Sequence, residues 1–348
     1  MHVAEVAVAA ETAVGVAVSK GSFLFNGHRV GGLHNSVVYH STACEFPVFH
    51  PMISRIFSAT ALRRLVPLLG LWLVMAAVAK AATPTVVASI RPMQLLAAAI
   101  TDGISMPALV MEPGQDPHHL SLRPSERLML QQADIVLWVG PILEQPLEKV
   151  IAALPKPVIT AQQASGVTLL HAGTVADPHL WLDTHNARSI ALALLQVLQK
   201  NDGEHAAHYQ ANMTQFAARL DALDAEIDLM LQPLRSQPWA VNHQAFGYFA
   251  VQHKLQQPFA LTDSTNSAPG LQRVSQLRKQ IAAQHVKCLL TEPSENHQQL
   301  DTMVDGKTLN IVTADVLGTT LMPAADAYEK LLRQVATAVK HCMGDNND

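Results

Sequence analysis

A stripe of apolar side chains between two groups of short elements is the feature that most constrains the fold. Its steps alternate between three and four residues, which is the period of one face of an α-helix. The stripe consists of Ala206, Tyr209, Met213, Phe216, Leu220, Leu223, Ile227 and Met230. Asp202 is the predicted N-cap, and Pro233 ends the run. At 1.5 Å per residue, such a helix spans roughly 40 Å.

We predict that residues 201–235 form a single helix linking two lobes. A coiled-coil dimer is the alternative, because a regular apolar stripe also suits that structure. The repeat is short for a coiled coil, and its Ala and Met positions suit packing against lobes.

Strand signals alternate with amphipathic stretches on both sides of this helix. The predicted strands are 85–90, 108–111, 135–139 and 158–160 before it, and 239–241, 259–261, 286–290 and 309–312 after it. Alternation of this kind is typical of a parallel sheet covered by helices on both faces. The predicted fold class is therefore α/β, with parallel-sheet lobes at residues 82–200 and 236–348.

The N-terminal region has the pattern of a secretory signal at residues 52–81. Basic residues precede an apolar run at 65–78, and Ala79-Lys80-Ala81 places small residues where a signal peptidase cleaves. A membrane anchor is the alternative, but the run is shorter than the ~20 apolar residues that a bilayer requires. Residues 1–51 precede the signal, and we expect them not to belong to the native product. The mature chain is expected to be soluble in the periplasm.

Charge and cysteine content narrow the possible functions further. The formal net charge is -4 at pH 7, and no run of Lys and Arg stands out, so no nucleic-acid partner is expected. After the signal, the cysteines are Cys288 and Cys342. An even pair in an exported chain predicts one disulfide, and two unpaired thiols are the alternative.

Three histidines follow strand signals in loops that belong to different lobes. They are His118, His179 and His243, and Asp315 occupies an equivalent place after the last predicted strand. Because ligands bind at the carboxyl ends of strands in parallel α/β sheets, these residues can meet in one cleft. Three neutral imidazoles and one oxygen suit tetrahedral zinc, although no HExxH or CxxC pair supports the site by spacing.

The fourth ligand has three candidates, which are Asp315, His119 and water. Asp315 is preferred because it follows a strand of the second lobe, as His243 does. His119 shares a loop with His118, and neighbouring side chains in an extended segment point opposite ways. Glu292 ends a strand on the same side and is expected to orient His243 or the metal.

From Val86 to Met343 the chain resembles the metal-binding proteins that serve bacterial ABC importers, specifically the zinc-uptake (ZnuA-type) branch. The most specific segments are Ser121-Leu122-Arg123-Pro124-Ser125, Ala133-Asp134-Ile135-Val136-Leu137-Trp138-Val139-Gly140, His179-Leu180-Trp181-Leu182, His243-Gln244-Ala245-Phe246-Gly247-Tyr248-Phe249 and Asp315-Val316-Leu317-Gly318. The resemblance implies two lobes joined by a long helix, with metal in the cleft between them.

The resemblance also implies the ligands and partners of this site. The family's ligands correspond to His118, His179 and His243, and Asp315 matches its acidic position. Zn(II) would be the transported ligand, an inner-membrane ABC permease the partner, and the protein a monomer without enzyme activity. Manganese-type relatives usually have Glu where this chain has His243, which favours zinc.

The chain departs from the family pattern at two places. The stretch 171–177 is short and holds a single histidine, whereas many members have a long His- and acid-rich loop there. Pro117 stands where some members place Glu.

A manganese or iron carrier on the same fold is one alternative to a zinc carrier. A zinc hydrolase is another, and it would need an open coordination position and a base such as Glu292.

Overall fold

Two four-stranded parallel sheets form the framework of the protein. The computed structural model describes residues 82–112, 114–172, 174–265, 267, 269–293 and 309–344. The predicted signal at 52–81 and the preceding residues 1–51 lie outside the described residues. Within the part of the chain that is described, no helix is both long and apolar enough to cross a membrane.

The first lobe is built on a sheet with the strand order β2-β1-β3-β4. Its elements are β1 (Val86–Ala88), α1 (Arg91–Thr101), β2 (Ala108–Leu109), α2 (Pro124–Gln132), β3 (Ile135–Trp138), α3 (Pro141–Glu144), α4 (Glu148–Ala152) and β4 (Val158–Thr160). Every residue of β1 and β3 is buried, as expected of strands covered on both faces. A small antiparallel hairpin, β5 (His171–Ala172) and β6 (Val175–Ala176), and α5 (Thr184–Asn201) follow.

The second lobe is built on a sheet with the strand order β10-β9-β7-β8. Its elements are β7 (Ala240–His243), α7 (Gly247–Gln252), β8 (Phe259–Thr262), α8 (Leu271–Ala283), β9 (Cys288–Thr291), β10 (Asn310–Thr313) and α9 (Ala327–Gly344). All of its strand pairs are parallel. The prediction of an α/β fold with two parallel sheets is confirmed.

The strands of the second lobe end one or two residues later than predicted. The cause is backbone pairing, which local sequence does not fix: His243 pairs with Thr262 of β8, so β7 continues through it. His243 is therefore the last residue of a strand, where main-chain hydrogen bonds hold its backbone, instead of a residue of the following loop.

The predicted linking helix is present as α6 (Ala206–Leu231). Its 26 residues correspond to about 39 Å, and it packs against α1 and α5 of the first lobe and against α9. The buried residues of α6 are Tyr209, Asn212, Met213, Phe216, Leu220, Leu223, Ile227 and Leu231. The predicted stripe from Tyr209 to Ile227 is buried, whereas its end positions Ala206 and Met230 are only partly buried. Asn212 and Leu231 complete the buried face.

The start of α6 corrects the predicted N-cap. Asp202 terminates α5, and His205 is the residue that precedes the first turn of α6. The Asp202 carboxylate instead accepts hydrogen bonds from the Tyr209 hydroxyl at 2.9 Å and from the backbone N–H of His205 at 3.4 Å. The Asp202 carboxylate therefore bonds to the start of α6 across the turn at 203–205, while Asp202 itself ends α5.

The predicted disulfide joins Cys288 at the start of β9 to Cys342 in α9. The two Cα atoms are 5.2 Å apart, and 54 positions separate the residues in sequence. Helix α9 packs against β9 and β10 and also against α1 of the first lobe. The crosslink therefore fixes to the second sheet a helix that contacts both lobes.

Candidate metal centre

Three imidazoles converge where the two lobes meet. His118 lies in a short 3₁₀ turn after β2, His179 lies just before α5, and His243 ends β7. One ring nitrogen of each lies within 4.8 Å of the others. The ring centroids are 5.4 Å, 5.1 Å and 4.8 Å apart. The structure thus brings together the three histidines that the sequence singled out, from three separate segments.

Two ring nitrogens at this centre have no hydrogen-bond partner among the described residues. His179 is 2% exposed and His243 is 3% exposed, whereas His118 is half-buried. Among the described residues, no hydrogen-bond partner is present for the buried Nε2 atoms of His118 and His243. Leaving a buried polar atom unpaired costs about 1–3 kcal/mol. Two such atoms aimed at one point are the arrangement that a bound cation would satisfy.

A carboxylate orients the ring on each side of the site. His179 Nδ1 lies 2.8 Å from Asp177 Oδ1, and His243 Nδ1 lies 2.7 Å from Glu292 Oε1. A carboxylate on Nδ1 favours the tautomer with the proton there, which leaves the Nε2 lone pair free for a metal. The contact between Glu292 and His243 agrees with the prediction that Glu292 orients this histidine.

Sequence reasoning missed the role of Asp177, although a repeated tripeptide pointed to it. Asp-Pro-His occurs twice, ending at His118 and at His179. In both copies the aspartate accepts the backbone N–H of the histidine two residues later, at 2.9 Å from Asp116 and 3.0 Å from Asp177. This Asx-turn is common for Asp, and here it fixes the backbone of each candidate ligand.

His118 and His243 differ in proton affinity. Burial, together with positive charge on His179 and His243, lowers the pKa of His118 to about 3. Burial alone would also lower the pKa of His243, but the hydrogen bond and charge of Glu292 outweigh it and raise that pKa. His118 is therefore neutral at physiological pH, and protons compete with a metal more strongly at His243 than at His118.

Asp315 lines the same cavity but does not belong to the three-histidine group. Its Oδ1 accepts the N–H groups of Leu317 at 3.1 Å and Gly318 at 2.8 Å. Its Oδ2 accepts the N–H of Thr319 at 2.6 Å and the hydroxyl of Thr319 at 2.7 Å. These four bonds use the lone-pair positions of a carboxylate. The role of Asp315 as fourth ligand therefore stays a prediction.

His119 points away from the three-histidine group. Its side chain is 67% exposed, and its Nδ1 lies 2.9 Å from Asp116 Oδ2. This position agrees with the expectation that adjacent residues in the first loop face opposite ways. His119 and water, like Asp315, stay candidates for the fourth ligand.

The cavity around the centre has a volume of about 210 Å³ and is lined by residues of both lobes. Trp181 and Val316 form part of its wall, and Trp181 Nε1 donates a hydrogen bond of 2.9 Å to the Val316 carbonyl. Because one water occupies about 30 Å³ in the liquid, this volume holds a metal ion together with several waters.

Comparison with known proteins agrees with this architecture. The family profile described as "ZnuA: Zinc-uptake complex component A periplasmic" matches residues 86–342. The chain is 28% identical over 304 residues to the high-affinity zinc uptake system protein ZnuA of Brucella abortus (strain 2308), covering 74% of this chain and 91% of that protein.

Two solved structures share the fold. A crystal structure of ZnuA has a TM-score of 0.66 at 23% identity, covering 75% of this chain and 100% of that one. A Mn-bound mutant of a periplasmic metal binding protein from Candidatus Liberibacter asiaticus has a TM-score of 0.65 at 17% identity, covering 75% and 99%. Because the family profile spans well over half of the sequence, this chain belongs to the ZnuA family of periplasmic zinc-uptake components.

Proposed function

We propose that this protein captures Zn(II) in the periplasm and delivers it to the permease of an ABC importer. The observation that carries the proposal is the convergence of His118, His179 and His243, with unpaired Nε2 atoms on two of the rings. Membership of the ZnuA family supports zinc as the cargo and transport as the role. In this proposal residues 82–200 and 236–348 are the lobes, 201–235 links them, and the exported chain is a monomer.

The proposed ligands are the three histidines and one oxygen donor. Water fits the fourth position because the cavity has room for it. Asp315 is the protein candidate, and the hydroxyl of Thr319 is the partner that its Oδ2 would exchange for the metal. A carboxylate there would offset part of the ion's charge as it leaves water.

The donor set favours zinc over manganese. Neutral imidazole suits zinc, whereas carboxylate and water suit manganese. The Mn-bound structural relative shows that this fold also accompanies manganese, so metal preference has to be measured for this chain.

A carrier fits the site better than a zinc hydrolase. Glu292 is the candidate base for hydrolysis, and its carboxylate is engaged 2.7 Å from His243 Nδ1. A carboxylate that orients a ligand is poorly placed to take a proton from a metal-bound water. We therefore propose that the protein is not an enzyme.

Metal content and competition titration test this proposal. The mature chain from Ala82 should retain about one zinc per molecule after purification and prefer zinc to manganese against a common chelator. His243→Ala should abolish tight binding, whereas His185→Ala, at a side chain that is 82% exposed, should not alter it. Equal or greater preference for manganese would contradict the assignment.

Delivery to a permease needs a cellular test. Deleting the gene should impair growth in zinc-chelated medium, and added zinc but not manganese should restore growth. Wild-type protein should complement the deletion, and the His243→Ala variant should not. Normal growth of the deletion strain under zinc limitation would argue against a role in uptake.

A further inference from the structure

The hydroxyl of Tyr248 holds the base of the β5–β6 hairpin. The backbone N–H of Leu170 donates to Tyr248 Oη at 3.0 Å, and Oη donates to the carbonyl of Asp177 at 2.9 Å. The N–H of Asp177 in turn donates to the Leu170 carbonyl at 2.8 Å. Tyr248 is 2% exposed and belongs to α7 of the second lobe. A second-lobe side chain thus fixes the backbone on both sides of a first-lobe hairpin.

The neighbouring glycine lies against the carboxylate of the same aspartate. A Cβ added at Gly247 would lie 2.7 Å from Asp177 Oδ2, closer than real Cβ contacts come. Only a residue without a side chain allows this approach. Asp177 is therefore held by His179 at Oδ1 and confined by the backbone of α7 at Oδ2.

The two orienting carboxylates of the metal centre differ in where their support comes from. His243 ends β7 and Glu292 directly follows β9 of the same sheet, so their contact lies within one lobe. Asp177 and His179 precede α5 in the first lobe, and the Asp177 N–H bonds there to the Leu170 carbonyl, yet the carbonyl and Oδ2 of Asp177 meet α7 of the second lobe. The orientation of His179 therefore depends in part on contact between the lobes, and that of His243 does not.

We propose that Asp177 is a positioning residue through which the second lobe sets the orientation of His179, supported by Tyr248 and Gly247. This inference rests on the proposed zinc site. When the lobes separate, Asp177 loses both of its second-lobe contacts and His179 loses its fixed ring orientation. Metal release is thereby coupled to lobe separation through one ligand of the three.

Two substitutions in α7 test whether this helix holds Asp177, and neither changes a proposed metal ligand. Tyr248→Phe removes the hydroxyl, and Gly247→Ala places a methyl group against the carboxylate. Each should weaken zinc affinity about tenfold, the low end for loss of an outer-shell contact. The controls are Tyr209→Phe, another buried tyrosine that donates to an aspartate, and Gly203→Ala, where an added Cβ meets nothing within 4 Å.

The coordination itself can be followed with Co(II) as the probe. Its visible absorption reports ligand geometry, so Tyr248→Phe should shift the bands that the Tyr209→Phe control leaves in place. A Tyr248→Phe variant with the control's affinity and the control's spectrum would overturn the inference.

A double-mutant cycle separates positioning from general weakening of the fold. Tyr248→Phe should cost little further affinity in an Asp177→Asn background, because the route to His179 is already broken. In a Glu292→Gln background it should still cost about tenfold. Equal costs in both backgrounds would refute the route through Asp177. Wild-type protein that binds no zinc would refute the proposed function, whereas tight wild-type binding with additive costs would refute only this inference.

Discussion

Replacing Glu292 by Gln is the sharpest test of how the outer carboxylates act on the metal centre. The substitution keeps the side chain's shape and removes its charge. In the structure the carboxylate lies 2.7 Å from Nδ1 of His243, whose ring is 3% exposed. Hydrogen bonds to charged groups contribute about 1.5–3 kcal/mol, against about 0.5–1.5 kcal/mol for neutral ones. The difference of about 1–1.5 kcal/mol corresponds to a roughly five- to thirteenfold loss of zinc affinity.

The pH dependence of that loss of affinity reports whether Glu292 acts by raising the pKa of His243. Burial lowers the pKa of His243 and Glu292 raises it above its usual value, so in wild-type protein zinc has to displace a proton once the pH falls below that raised pKa. In the Gln variant burial remains without the opposing charge, so the pKa of His243 falls and proton competition begins at lower pH. The ratio of variant to wild-type Kd should therefore be largest near pH 8 and shrink towards pH 5.5.

Competition with a fluorescent chelator across this pH range measures both quantities. Glu226→Gln is the matched control, because Glu226 is an exposed glutamate on α6 paired with Arg333. The wild-type affinity itself should weaken as the pH falls through the raised pKa of His243, since that imidazole must be unprotonated to bind metal. A Kd ratio that is constant with pH, or an unchanged affinity at pH 8, would refute the reasoning.

Three further outcomes are expected. Asp315→Ala should weaken zinc binding more than His119→Ala. If the His119 variant is the weaker binder, the first loop supplies two ligands; if both variants bind like wild type, water is the fourth ligand. Unreduced, denatured mature protein should contain no free thiol. Breaking the Cys288–Cys342 bond should lower the free energy of unfolding by about 4 kcal/mol, from the chain-entropy relation for 54 positions. Urea denaturation with and without reductant measures this loss. N-terminal sequencing of periplasmic protein should begin near Ala82, and any residue before the signal in that material would contradict it.

Regular periods in the sequence predicted the fold well, and tertiary contacts account for the differences. The stripe along α6 was readable because it continues without a break through Tyr209, Phe216 and Leu223. The predicted N-cap at Asp202 was wrong, because Asp202 ends α5 and its carboxylate accepts a hydrogen bond from the Tyr209 hydroxyl, seven residues further along the chain. The end of β7 depends on pairing with β8, which no local pattern encodes.

The convergence of the candidate ligands was predictable as far as they follow strand signals. His118, His179 and His243 were singled out in this way and lie together in the structure, whereas the role of Asp177 was missed, because it depends on which donors its carboxylate accepts. Asp315 shows the reverse difficulty. It was placed correctly beside the cavity, but its four bonds to the loop that ends at Thr319 arise from a turn whose geometry the sequence alone did not reveal.

Binding of the proposed cargo would stabilise the folded protein. Among the described residues, the Nε2 atoms of His118 and His243 are buried without a hydrogen-bond partner. By mass action, a ligand that binds only the native state adds about 4.1 kcal/mol to the unfolding free energy at a thousand times its Kd. Empty carrier should thus unfold, and be degraded by envelope proteases, sooner than loaded carrier. The amount of protein that survives outside the inner membrane would then follow the metal supply, without any change in gene expression.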